Sequence, residues 1–332
     1  MIMDVLIITT AYLLDLLLGD PSWFPHPVRL IGWSVGQLEV CLRKAVWTPR
    51  GEQAAGIILV LTVVGAVYGT SHELLVLSAS LSRTLFVLLS ILVAWTTLAT
   101  KSLAQAAGDV RRPLADGDLP GARKKLSMIV GRDTQELPES EIVRATVETV
   151  AENTSDGVIA PLFYLAIGGP ALALAYKAVN TLDSMVGHRN ERYRHFGWAA
   201  ARLDDLANFI PARITAVLIC MATEIVALMR FSVPEPQSEI RNPKSGSWRI
   251  MLRDGTKHPS PNSGWPEAAM AGSLGVRLGG TSTYGGKLSQ RPHLGDPTRM
   301  LESNDIALAV RLLYAASLLG VLAAATTRFC GS

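Results

Sequence analysis

Long apolar runs constrain this chain more than any motif in it. A bilayer core of about 30 Å takes roughly 17–25 mostly apolar residues in helical form. Residues 54–70 and 85–100 are clean runs of that kind, and residues 307–327 form another with Arg311 near its start. Residues 2–19 open the chain with a run weakened by Asp4 and Asp15; with neither a basic leader nor a small-residue cleavage site, it reads as a retained membrane helix. Two further runs are ambiguous. Residues 157–179 are broken by Gly168, Gly169 and Pro170, and residues 209–229 begin with Pro211 and Arg213. Broken helices with polar flanks suit a cavity-lining position. Composition points the same way: 49% of residues are hydrophobic and 18% charged, against about 25% charged in an ordinary soluble domain. The expected fold is all-α, a polytopic integral membrane protein with about 4–6 membrane helices, some broken or re-entrant. The whole of residues 1–332 reads as a single membrane domain.

Lysines and arginines in the loops set the expected orientation. Arg111, Arg112, Arg123, Lys124, Lys125, Arg132 and Arg144 crowd residues 101–149, whereas residues 71–84 hold only Arg83. Residues 230–305 are also basic, so both regions are expected in the cytoplasm. Letting residues 157–179 and 209–229 dip into the membrane or line a cavity keeps Arg189, Arg192, Arg194 and Arg202 on that side too. Pro234, Pro236, Pro243 and Gly246 mark residues 231–247 as a linker candidate within a Gly/Pro-rich cytoplasmic region at 231–305, and residues 257–287 read as mostly loop. Cys41, Cys220 and Cys330 are far apart and lack metal-ligand spacing, so free thiols are expected, with no zinc or redox role.

The polar residues concentrate in three motifs. Glu148, Glu152 and Asp156 recur at four-residue intervals and share one face of a helix. Carboxylates so placed repel unless a cation sits between them, and oxygen-rich sites suit Mg2+ held by one or two carboxylates plus substrate phosphates; a solvated face paired with Arg144 is the alternative. Asn180 and Asp183, then Asp205 and Asn208, form helical i, i+3 pairs, with Asp204 beside them and Arg189, Arg192 and Arg194 between. Arginine is the residue best shaped for bidentate phosphate or carboxylate contacts. The third motif runs from His258 through Asn262 to Glu267, followed by Gly279, Gly280 and a Tyr-Gly-Gly-Lys run ending at Lys287. Glycines admit an anion close to backbone amides, although the Walker A spacing is absent. His26, in the rigid loop after the first apolar run, reads as structural rather than catalytic.

Together these segments resemble the CobD/CbiB family of cobalamin biosynthesis proteins, the membrane-bound adenosylcobinamide-phosphate synthases. The resemblance runs through residues 14–32, GRDT at 131–134, EIVRATVETVAENTSDGVIAP at 141–161 and AYKAVNTLDSMVG at 175–187. It continues through NERYR at 190–194, ARLDDLAN at 201–208, PAR at 211–213 and residues 258–280. It implies an ATP-dependent carbon–nitrogen ligase that joins the free propionate of adenosylcobyric acid to aminopropanol or its phosphate. Mg2+ on Glu148, Glu152, Asp156, Asp183, Asp204 or Asp205 would hold ATP phosphates. Glu148, Glu152, Arg189, Arg192 and Asp204 would carry the chemistry, and Arg194, Asn180, Asn208, His258, Asn262 and Lys287 would bind substrate. Trp23, Trp198 or Trp265 would wall a corrin cleft at the membrane surface. The expected partners are corrinoid, amine, membrane lipid and other cobalamin-assembly membrane enzymes, with no nucleic acid. A corrinoid transporter and an intramembrane prenyltransferase using a magnesium diphosphate are the competing readings.

Overall fold

The computed structural model describes residues 2–21, 23–44, 48–188, 190–230 and 246–330. Helices dominate, and among the described residues five are long and apolar enough to cross a membrane: Pro49–Leu81, Arg83–Ala115, Glu139–Val186, Phe209–Leu228 and Ser303–Arg328. The all-α polytopic expectation therefore holds, with one exception described below. Of the linker expected at 231–247, residues 231–245 lie outside the described residues, while Gly246 and Ser247 begin a helix rather than continue a linker.

The chain divides into two compact units. The first contains residues 1–99, 160–209 and 321–332. Its elements are α1 (Ile2–Leu18), α2 (Pro27–Arg43), α3 (Pro49–Leu81), α4 (Arg83–Trp95), α8 (Ala160–Val186) and α9 (Trp198–Ala207). Local chemistry starts these helices where it should. Thr48 accepts from the Gly51 amide at 3.1 Å and Pro49 occupies the first turn of α3, where its missing N–H costs nothing. His26 does the same for α2, with Nδ1 accepting from the Val28 amide and Nε2 3.2 Å from Asp20, the structural role expected of it. Ile31, Val35, Leu59, Val63, Leu182 and Phe196 form the unit's core. Gly56 lets the backbone of Phe196 rest on α3, since a Cβ there would lie 1.9 Å from the Phe196 carbonyl oxygen. The break expected in residues 157–179 is present in α8, where Gly169 has φ +74° ahead of Pro170. That conformation is open to glycine and suits the residue before a proline, which is steered out of the helical region.

The second unit contains residues 100–159 and 210–320. It holds α5 (Thr100–Ala115), α6 (Leu119–Leu126), α7 (Glu139–Thr154) with a π-helical turn at Ser155–Ile159, α10 (Phe209–Arg230), α11 (Gly246–Asp254), α12 (Gly264–Leu274) and most of α13 (Ser303–Cys330). Residues 257–287 are not mostly loop. They contain α12 and the first strand of an antiparallel hairpin, β1 (Leu278–Tyr284) and β2 (Lys287–Leu294). The helices α11 and α12 touch through glycine: a Cβ on Gly272 would sit 2.7 Å from the Ser247 Cα. At the end of α11, the fully buried Asp254 binds Arg253, Lys257 and the Gly295 amide, which fastens the hairpin's exit to the helix. Cys41 and Cys220 are free thiols.

Candidate active site

The second unit gathers its charges around α7. Glu141, Arg144 and Glu148 follow at helical spacings of three and four, so they form a ladder on one face. Glu148 is buried, and both its oxygens are engaged: Oε1 accepts from Arg144 at 3.0 Å and from the Gly279 amide at 2.9 Å, while Oε2 pairs with Arg132. A buried carboxylate is tolerable only when compensated in this way. The hairpin supplies much of the compensation. Its register slips between Leu278 and Gly280, and the bulged Gly279, at φ +78°, turns its amide toward Glu148 and its carbonyl toward Arg144. A side chain there would meet the Pro292 carbonyl oxygen at 2.2 Å.

The Gly131–Thr134 loop holds the same hairpin from its other end. Asp133 accepts from the amides of Gly285 and Gly286 at 3.1 and 2.8 Å, and its own amide donates to the Thr283 carbonyl. Two consecutive glycines at φ +54° and +76° make the tight turn that Asp133 grips. Arg132 beside it donates to the Ser282 hydroxyl as well as to Glu148.

One helical turn beyond Glu148, Glu152 accepts from the Ser263 hydroxyl at 2.8 Å. Ser263 precedes α12, whose first turn presents the buried Glu267. Burial, together with the negative charges of Glu148 and Glu152, holds the Glu267 carboxyl well above the usual carboxylate range. His258 Nε2 lies 4.0 Å from Glu267 Oε1 and 3.3 Å from Arg291 Nη1. Burial and the Arg291 cation push His258 below its ordinary value, so its ring is neutral near pH 7. Arg291 also donates to the Tyr284 hydroxyl at 2.9 Å. Arg213 lies over the Trp265 ring, 5.0 Å from its centroid, and reaches Asn262 at 3.5 Å. The result is a dense arrangement of carboxylates and guanidiniums around a neutral imidazole, suited to binding anions and neutralising charge that develops on them.

In the first unit, the Tyr176 hydroxyl donates to Asn208 Oδ1 at 2.8 Å, and Asn208 Nδ2 donates to Asp204 at 3.0 Å. Tyr164 stacks on Tyr176 with ring centroids 4.9 Å apart and donates to the Ala207 carbonyl. Arg192 pairs with Glu39, as does Arg43.

A family model described as CobD/Cbib protein matches residues 8–313. The cobalamin biosynthesis protein CobD of Geobacter metallireducens is 52% identical over 320 residues, covering 96% of this chain and 95% of the relative. The protein of that name from Listeria monocytogenes is 47% identical, covering 95% of each chain. The one from Clostridium tetani is 44% identical, covering 98% of each. The chain belongs to the CobD/CbiB family. Membership makes it a cobalamin biosynthesis protein, and its own long apolar helices make it a membrane protein. No solved structure matches it.

For this CobD/CbiB chain, the candidates named from sequence fall into separate settings. Glu148, Glu152, His258 and Asn262 belong to the second unit's charged cluster. Lys287 is exposed at the start of β2, and Asp156 lies in the π-helical turn. Asn180 and Asp183 lie on α8, Asp204 and Asp205 on α9 with Asn208 as its C-cap, Arg192 and Arg194 in the turn between those helices, and Arg189 lies outside the described residues. Asp205 pairs with Arg202. Trp23 and Trp198 are exposed. Among the described residues, no three His, Cys, Asp or Glu side chains gather with the geometry of a metal site. Nothing in the sequence pattern singles out Arg132 or Arg291 for the site; Ser263, Glu267 and Tyr284 fall inside the third motif without a role of their own, and Arg144 figures there only as the partner of a solvated acidic face.

Proposed function

We propose that this protein joins the free propionate of adenosylcobyric acid to aminopropanol, or its phosphate, in an ATP-dependent amide ligation at the second unit's charged cluster. Family membership supports the pathway. The observation that carries the chemistry is the convergence of Arg132, Arg144 and Arg291 on the surroundings of Glu148, Glu152 and Glu267. A carboxylate does not react with an amine near neutral pH, so it must first be activated. Phosphoryl transfer from ATP gives an acyl phosphate and ADP; the amine then attacks the carbonyl carbon, and phosphate leaves with the former carboxylate oxygen. Each step moves negative charge between oxygens, which fixed guanidiniums stabilise best in a water-poor site.

Glu152 fits Mg2+ better than Glu148 does. The Glu148 oxygens are already taken by two arginines and an amide, whereas among the described residues Glu152 has only a hydroxyl donor. With one or two carboxylates, the remaining positions on the ion fall to water and ATP phosphates, the usual arrangement for Mg2+. The bound ion would supply charge neutralisation for those phosphates. The Lys/Arg distribution along the chain supports a cytoplasm-facing site in a bacterial or archaeal cell membrane.

The test is reconstitution of the purified protein in lipid nanodiscs with adenosylcobyric acid, ATP and Mg2+, offering aminopropanol and its phosphate separately. Mass spectrometry should show an amide product only with ATP present. Product without ATP, or none with either amine, contradicts the reading.

A further inference from the structure

Two hydrogen-bond donors meet at His258 and Arg291 with no acceptor between them. The Ser260 amide lies 3.0 Å from His258 Nδ1. An amide N–H can only donate, so Nδ1 accepts and the neutral ring carries its proton on Nε2. That proton faces Arg291 Nη1, itself only a donor, across 3.3 Å. Glu267 Oε1, at 4.0 Å from Nε2, is beyond hydrogen-bond range. Two N–H groups at this separation repel unless they share an acceptor oxygen.

The rest of the pocket holds this pair in place. Arg291 is fixed from its other side by the Tyr284 hydroxyl, and β2 carries it directly across from Gly280. Arg132, Arg144, Arg249, Arg253 and Arg299 each pair with a carboxylate, but among the described residues no carboxylate lies within 4.0 Å of the Arg291 guanidinium. Arg291 is thus a half-buried cation held by neutral groups, with N–H donors to spare.

We propose that His258 Nε2–H and the Arg291 guanidinium form a two-point site for one anionic oxygen of a substrate, phosphoryl or carboxylate. The site itself follows from the donors' geometry; only the identity of its occupant rests on the ligase reading. Three sources share the chemistry: an ATP phosphate, the phosphate of the amine and the corrinoid propionate.

Two measurements test the site. The first needs no turnover: inorganic pyrophosphate should bind the detergent-purified protein in calorimetry and raise its thermal midpoint, and Arg291→Met should lose both effects. The second is steady-state kinetics, in which Arg291→Met should raise the KM of the substrate whose anion occupies the site by about 10–100-fold, a charge-assisted hydrogen bond's worth. A rise for ATP, for aminopropanol phosphate but not aminopropanol, or for the corrinoid identifies the occupant. If Arg291→Met does not fold, Arg291→Lys keeps the charge without the planar fork and is read in the same two assays. Pyrophosphate binding equal in parent and variant, or failure of the parent to bind it, overturns the proposal. Loss of binding with no ligation by either protein would leave the site standing and sink the ligase.

Discussion

Glu267 sits in an environment that opposes the ionisation of its carboxyl. Its carboxyl is buried beside two other carboxylates, so its folded-state affinity for a proton is raised. A group of this kind favours the fold below its unfolded pKa, about 4.3, and that contribution is lost as pH rises through the higher folded value. Glu267→Gln should therefore lose less stability than the parent between pH 5 and pH 8; a steeper decline in thermal midpoint would show that Glu267 is ionised in the fold. Glu148 is the opposite case. Removing its charge by Glu148→Gln leaves Arg132 buried without its counter-ion and Arg144 with Glu141 alone, and breaking such a pair costs about 3–5 kcal/mol. Chemical unfolding in detergent should show a loss of that size. Glu152, bound among the described residues only to a hydroxyl, should behave differently: Glu152→Gln should cost under about 0.5 kcal/mol while lowering turnover by about 10²-fold or more. Near-parental turnover in folded Glu152→Gln would remove this residue from the chemistry. Helical spacing made Glu148 and Glu152 visible in the sequence. Arg144 was legible too, one helical turn before Glu148, though only as the partner of a solvated face; Arg132, the hairpin contacts and the meeting of Arg291 with His258 were not, because they join residues far apart in the chain, where no periodicity can announce them.

At the scale of elements, the apolar runs were legible because membrane helices need only length and composition, and α3 and α13 contain the runs at 54–70 and 307–327. The Gly169 break was equally plain, since Gly-Gly-Pro has few backbone options. The hairpin was not. Its strands sit in Gly- and Ser-rich sequence that resembles loop by propensity, and what forms them is long-range: the grip of Asp133 on the Gly285–Gly286 turn and the seating of Gly279 against Glu148 and Arg144. Gly279→Ala should displace the bulge, since a methyl there meets backbone and the positive φ is strained. Limited proteolysis should then cut the hairpin faster than in the parent, and unchanged protection would refute its role as a close-packed anchor. Asp254 offers a pH counterpart to Glu267. Arg253, Lys257 and the Gly295 amide overcome its burial and hold its carboxyl far below the usual range. Its contribution is present above the unfolded pKa and fades as pH falls through the folded one, so Asp254→Asn should narrow the stability gap between pH 7 and pH 3.

At the scale of the whole molecule, five helices among the described residues fit a membrane, and the basic stretches between them predict which side faces the cytoplasm. Single cysteines at Arg123 and Lys257 should resist impermeant thiol reagents in intact cells; ready labelling would reverse the orientation. The central claim is chemical, that ATP activates the corrinoid carboxylate before the amine arrives. Adenosylcobyric acid labelled with 18O in its free propionate should yield one labelled oxygen in the released phosphate, alongside ADP. Label found in AMP, or phosphate released without label while amide forms, would contradict an acyl-phosphate route.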